Sequence, residues 1–187
     1  MKITKIEILN LNSLKGYWCI DFKHPDYEKN HNLFVICGNV GSGKTTILDA
    51  ITLALYGKTP RQEVSKDVNE IMTRRTAECM ARVTYECKKG TYISEFSQHR
   101  ANNKINGSLQ APQAKITNQI TGETSERISI SKLEEKTTEI IQLDYSQFLK
   151  SIMLAQGDFN SFINADPRTR AEILAKINGT EKYKKFA

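Results

Sequence analysis

This sequence offers little for covalent cross-linking and nothing for crossing a membrane as a helix. Its 187 residues include 4 cysteines. Cys19, Cys37, Cys79 and Cys87 show no C-x-x-C spacing, which argues against a zinc site or a disulfide framework and for reduced thiols. No apolar run approaches the ~20 residues of a membrane-spanning helix. The first residues, Met1-Lys2-Ile3-Thr4-Lys5-Ile6, alternate like a strand and lack the apolar block of a secretory signal. His24, His31 and His99 have no metal-ligand spacing. Low-complexity stretches are absent too, so a folded domain with a core of its own is expected, in the cytoplasm. The formal charge of +6 permits nucleic-acid binding without requiring it.

What the chain does have is a phosphate-loop pattern, Gly38-Asn39-Val40-Gly41-Ser42-Gly43-Lys44-Thr45, which reads G-x-x-x-x-G-K-T. It follows the apolar run Leu33-Phe34-Val35-Ile36-Cys37 and precedes a helix-like run that opens at Thr46 and ends at Leu55. Strand, loop and helix together are the context that gives the pattern physical meaning. Glycines let backbone N–H groups turn toward an anion, and a helix N-terminus adds about half a positive charge behind them. Lys44 is the candidate contact to the terminal phosphates, and the Thr45 hydroxyl a candidate magnesium ligand. Candidate nucleotide contacts are therefore Gly38, Asn39, Val40, Gly41, Ser42, Gly43, Lys44, Thr45 and Thr46, and the expected cofactors are ATP and Mg2+.

Around this loop, residues 2–11 and 17–22 read as a strand hairpin across a turn at 12–16. Gly57 stops the loop's helix and Pro60 blocks its return. A short helical stretch is expected near residues 66–72. Strand-like runs follow at 79–88 and 91–98 across Lys89-Gly90, and at 114–120 and 126–130 across residues 121–124. The last third reads as helices: 131–141, one capped by Asp144, one opened by Asp166-Pro167 and closed by Asn178-Gly179, and a lysine-rich one from Thr180. The expected division is 1–178 as one lobe and 179–187 as the start of a further helix that continues elsewhere.

Hydrolysis needs a carboxylate on magnesium, usually at the end of an apolar strand. The nearest candidate is Ile140-Ile141-Gln142-Leu143-Asp144, where Gln142 breaks the run and Asp144 is better placed as a helix cap. The pattern thus supplies half a site.

The ordered set Asn10-Leu11-Asn12-Ser13-Leu14-Lys15-Gly16, Gly38 to Thr45, Leu48-Asp49-Ala50-Ile51, Leu53-Ala54-Leu55-Tyr56-Gly57, Thr59-Pro60-Arg61, Met72-Thr73-Arg74 and Leu154-Ala155-Gln156-Gly157-Asp158-Phe159 resembles the N-terminal half of the ATPase head of the SbcC family. Those are SMC-like members of the ABC ATPase superfamily and large subunits of bacterial SbcCD nucleases. The resemblance covers essentially the whole chain. It implies an α/β fold: an ABC-type P-loop half-head with a mixed or antiparallel sheet packed on the Walker A helix, and C-terminal helices leading into a coiled coil. It implies that the second carboxylate strand, the signature loop and the switch histidine lie in another segment. Gln156, by pattern alone a helix C-terminus, becomes by resemblance a glutamine touching magnesium and the attacking water. Asn12 and Ser13 become neighbours of the nucleotide, although an ordinary turn accounts for them equally. Asp49 matches the family motif, and an exposed helix carboxylate would account for it as well.

The resemblance further implies ATP-driven pairing of two heads, association with the C-terminal half of the head, with the SbcD nuclease and with double-stranded DNA, and a nucleoid-associated role in DNA repair and recombination. The isolated chain is expected to bind ATP with little turnover. Arg100, Lys104, Lys115, Arg127 and Lys132 are candidate DNA contacts, with a solvated charged face as the plainer account. Two rival classes share the loop: an SMC-like ATP-gated clamp without a nuclease, and a P-loop nucleotide kinase.

Overall fold

The computed structural model describes residues 1–25 and 35–151. The chain divides into two compact units, Met1–Ile141 and Gln142–Ala187. In the first unit the strands are β1 (Lys2–Leu11), β2 (Leu14–Asp21), β3 (Glu78–Cys87), β4 (Gly90–His99), β5 (Gln113–Asn118) and β6 (Thr124–Ile128). They form one antiparallel sheet in the order β2-β1-β3-β4-β5-β6. Helix α1 (Lys44–Tyr56) packs against β1, β3 and β4, and α2 (Ile130–Ile141) against α1 and β5. The sheet packed on the Walker A helix is the architecture expected from the sequence.

Period-two patterning decides which face α1 covers. On β3, Cys79, Ala81, Val83 and Tyr85 are buried. Their cross-strand partners continue the same face: Ile6 stands opposite Val83 and Ile8 opposite Ala81, while Phe96 stands opposite Ala81. From α1, Ala50, Leu53, Ala54, Leu55 and Tyr56 are fully buried. The other face carries a row of charge: Glu7, Arg82, Glu95 and Lys115 stand opposite one another in turn. Arg82 pairs with Glu95 at 2.7 Å and with Glu7 at 3.4 Å, and Lys115 pairs with Glu126 at 2.9 Å. A one-residue slip of β3 would exchange this row for the core face, so the charges help to hold the register.

Three expectations need correction. Of the apolar run at 33–37, residues 35–37 are described, and they form no strand; Val35 is 80% and Ile36 47% exposed. An apolar run becomes a strand only when a neighbour completes its hydrogen-bond ladder, and no described strand pairs with it. Residues 66–72 are not a helix. They form a tight loop held by a Val64–Asn69 bridge and by Ser65 N–H donating to Val68 O at 2.7 Å. Asn69 accepts from Met72 N–H at 2.7 Å and donates to Gln98 Oε1 at 2.6 Å, so its amide competes with helix formation. Finally, three elements begin earlier than expected: α1 at Lys44 rather than Thr46, β2 at Leu14 rather than Tyr17, and β6 at Thr124 rather than Glu126.

In the second unit, α3 (Tyr145–Ser151) opens with a reciprocal cap. Gln147 N–H donates to Asp144 Oδ1 at 2.8 Å, and Asp144 N–H donates to Gln147 Oε1 at 3.0 Å. Asp144 is therefore a helix cap, as the broken apolar run before it suggested. The helices expected after residue 160, the boundary at 178 and the coiled-coil start at 179–187 lie outside the described residues.

Candidate nucleotide-binding site

The candidate site is assembled by α1, by the corner between β1 and β2, and by the segment that follows α1. At the corner, Asn10 and Asn12 adopt φ of 52° and 48°, which asparagine tolerates better than most residues. Asn10 Oδ1 accepts from Gly16 N–H at 2.8 Å, closing the turn. This brings Ser13 and Leu14 up to the phosphate loop: a Cβ on Gly43 would lie 2.8 Å from Leu14 and 3.0 Å from Ser13 Oγ. Gly43 also sits at φ 92°, in the left-handed region, so both backbone and space require glycine there.

Gly43 is the N-cap of α1, no side chain caps that end, and its first turn holds no acidic residue. The first N–H groups of any α-helix lack partners within the helix. Here they face an open cavity of about 450 Å³ lined by Asn12, Ser13, Gly41, Gly43, Lys44, Thr45, Thr46, Arg61 and Gln62. The Lys44 ammonium donates to Gly38 O at 2.7 Å and to Asn39 O at 2.8 Å. It thus ties the start of the loop to the start of the helix. An ammonium has three donors, so one remains for an anion.

The candidate residues separate into two groups. Asn12, Ser13, Gly41, Gly43, Lys44, Thr45 and Thr46 line the cavity, while Gly38, Asn39, Val40 and Ser42 form the loop behind it. Gly38 and Asn39 act through their carbonyls on Lys44, and Val40 is fully exposed. The Asn12 amide is already engaged. It donates to Gln62 Oε1 at 2.9 Å and to Thr46 Oγ1 at 3.3 Å, and it accepts from Gln62 Nε2 at 3.0 Å. Gln156 lies outside the described residues. For magnesium, Thr45 offers one hydroxyl, and no cluster of three His, Cys, Asp or Glu exists among the described residues. That donor set suits an ion held mainly by phosphate oxygens and water.

Asp49 differs from the expectation of an exposed helix carboxylate: it is 1% exposed. Its Oδ2 accepts from Arg61 Nη2 at 2.5 Å, and its Oδ1 has no hydrogen-bond partner. Burial pushes its carboxyl above the ordinary value, with Arg61 pulling the other way. Pattern reading gave no role to Arg61 or Gln62. The available signal was Thr59-Pro60-Arg61 just beyond the Gly57 cap, a turn that carries an arginine back toward the loop.

The candidate DNA contacts are spread over the molecule. Lys115 is on β5 in an ion pair, and Arg127 is on β6. Lys132 is on α2, and Arg100 donates to Gly107 O at 3.2 Å near the exposed Lys104.

An uncapped helix behind a glycine loop, with a lysine closing the loop, defines a P-loop nucleotide-binding fold. A family described as an AAA domain matches residues 5–186, and the chain belongs to that family. Among curated relatives, the SbcC subunit of the SbcCD nuclease of Rhodobacter capsulatus is 32% identical over 98% of this chain and 16% of its own length. Its counterpart in Clostridium acetobutylicum is 33% identical over 98% of this chain and 15% of its own length. The probable DNA double-strand break repair Rad50 ATPase of Aquifex aeolicus is 29% identical over 99% and 17%. The chain thus spans about a sixth of the length of these relatives. A solved structure from work on ATP-driven dimerisation and DNA-stimulated activation of SMC ATPases has the same fold, with a TM-score of 0.59 at 16% identity over 95% of this chain and 99% of that one. The resemblance to SbcC-type ATPase heads is therefore borne out. No helix among the described residues is long and apolar enough to cross a membrane.

Proposed function

We propose that this chain binds ATP with Mg2+ at Gly38–Thr45 and serves as the nucleotide-binding part of an SbcC-like ATPase head. The observation that carries this reading is the uncapped N-terminus of α1 opening on a cavity beside a lysine with a donor to spare. The loop amides and the helix end hold the phosphate oxygens, and Lys44 offsets their charge. Magnesium, when bound, would supply charge neutralisation, and Thr45, together with Gln156 outside the described residues, would be its protein ligands. Cleavage also needs a carboxylate at the magnesium; Asp49, the carboxylate beside the loop, is buried and held by Arg61, and in this reading a separate segment completes the site. In the whole assembly, closure of two such heads on ATP gates a partner nuclease acting on double-stranded DNA in repair and recombination. The names of the SbcC and Rad50 relatives support the nuclease-subunit and double-strand break repair role, and the closure of two heads is proposed on the family resemblance. Contact with DNA through the scattered lysines and arginines would be to phosphates and strongly salt-dependent.

The test is calorimetric titration of the chain with ATP and magnesium, beside a measurement of phosphate release. Binding with almost no turnover is expected, and Lys44→Ala should abolish binding while leaving the melting temperature nearly unchanged. Brisk hydrolysis by the chain alone, or undiminished binding in the variant, overturns the reading.

A further inference from the structure

A buried carboxylate pinned to a half-exposed guanidinium beside the loop has no part in the scheme so far. Asp49 is on α1, one turn beyond Thr45 and Thr46. Its side chain is 1% exposed, whereas that of Arg61 is 52% exposed and lines the loop cavity. The pair is single-pronged: Nη2 meets Oδ2, while Oδ1 is left without a partner. Desolvating a carboxylate for one such contact is a poor source of stability, because the burial cost rivals the attraction gained. As a means of aiming an arginine, the arrangement is effective. One Nη is held, and the rest of the fork has no partner among the described residues.

The backbone around Arg61 is fixed as well. Thr59 Oγ1 accepts from Gln62 N–H at 3.1 Å and donates to Gln62 O at 2.7 Å, closing a turn with Pro60 at its second position. The Gln62 side chain is held by Asn12 and by Glu70 O at 3.1 Å. Backbone and side chain are both constrained to present Arg61 where Lys44 and the α1 N-terminus already gather positive charge.

We propose that Arg61 is a second cationic contact for the phosphate chain of the bound nucleotide, and that Asp49 is the positioning residue that aims it. This rests on the nucleotide reading above and names a further residue of the same site. Arginine suits the role because its planar fork pairs with two phosphate oxygens while a remaining N–H stays on Asp49.

The full chain is titrated with magnesium ATP and, separately, with inorganic tripolyphosphate, which has no base or sugar. Arg61→Gln should weaken both ligands about tenfold, the scale of one charge-assisted contact. Arg61→Lys keeps the charge without the fork and should lose less. Asp49→Asn should weaken both ligands by a smaller factor, and adding it to Arg61→Gln should cost nothing further, since it acts only through the arginine. If Arg61→Gln destabilises the fold, Arg61→Lys carries the comparison. Parent-like affinity for both ligands in the Arg61 variants, with binding lost in Lys44→Ala, overturns the arginine's role and leaves the nucleotide reading standing. Weakened ATP with unchanged tripolyphosphate also overturns it, by putting the contact on the nucleoside. Full affinity in Lys44→Ala, or no ATP binding by the parent, sinks the nucleotide reading itself.

Discussion

Helix α1 and the loop that leads into it are consecutive in sequence and opposite in physics. In α1, nine of the thirteen residues are buried, and the helix touches three strands and a second helix. In the loop, Val35 to Ser42 are all exposed. The difference shows how a binding surface is held ready: the helix is anchored by burial, so the loop can leave backbone donors facing solvent. Gly43 is the joint, where Leu14 and Ser13 approach too closely for any side chain.

Four substitutions or measurements would sharpen or break this contrast. The largest stability effect should come from the anchored part. Leu53, fully buried on α1, should cost about 2–5 kcal/mol when changed to alanine, read as a shift in denaturant midpoint. A loss below about 1 kcal/mol would mean that α1 is not the anchor.

Next is the joint. Gly43→Ala meets a left-handed φ and a 2.8 Å contact with Leu14. It should cost about 1–3 kcal/mol and weaken ATP binding by more than its loss of stability implies. Equal stability and affinity to the parent would show that the loop geometry is not needed.

Third is the pH response of Asp49. Burial raises its folded pKa above the unfolded value, so the folded state holds this proton more tightly. Ionisation of Asp49 therefore disfavours folding at neutral pH, and that cost is relieved as pH falls through the raised value. Relative to the parent, Asp49→Asn should gain stability as pH rises across the interval between the ordinary carboxylate value and the raised one. A difference that does not vary with pH would contradict the burial argument.

The smallest effect is chemical. Cys37 and Cys19 are exposed, whereas Cys79 is buried with its thiol pushed up to about 12 by desolvation. Alkylation at neutral pH should label the two exposed thiols first and Cys79 last, and ATP should slow only Cys37, which adjoins Gly38. Early labelling of Cys79 would reveal that the core side opens as readily as the loop side.

Much of this was legible in the residues. Strand β1 was readable end to end from alternation, and the stop of α1 from Gly57, while its start was read two residues late. The Asp144 cap was readable from a helix start after a broken apolar run. Misreadings arose where a side chain or an absent neighbour overruled local propensity. Val35 and Ile36 are apolar and β-branched, yet no described strand pairs with them. At 66–72 the Asn69 amide wins over a helix.

Local pattern was enough for the phosphate loop, because glycine spacing and a following helix are local properties of backbone conformation. It also determined the two-faced sheet, because alternation sorts residues by transfer free energy whichever partners they meet. Folding buries Asp49, brings Arg61 to it from twelve residues away, and engages Asn12 with Gln62. Those contacts depend on where separated segments meet, and no local pattern encodes such a distance. The electrostatics of the site, set by burial and by neighbours, had to wait for the fold.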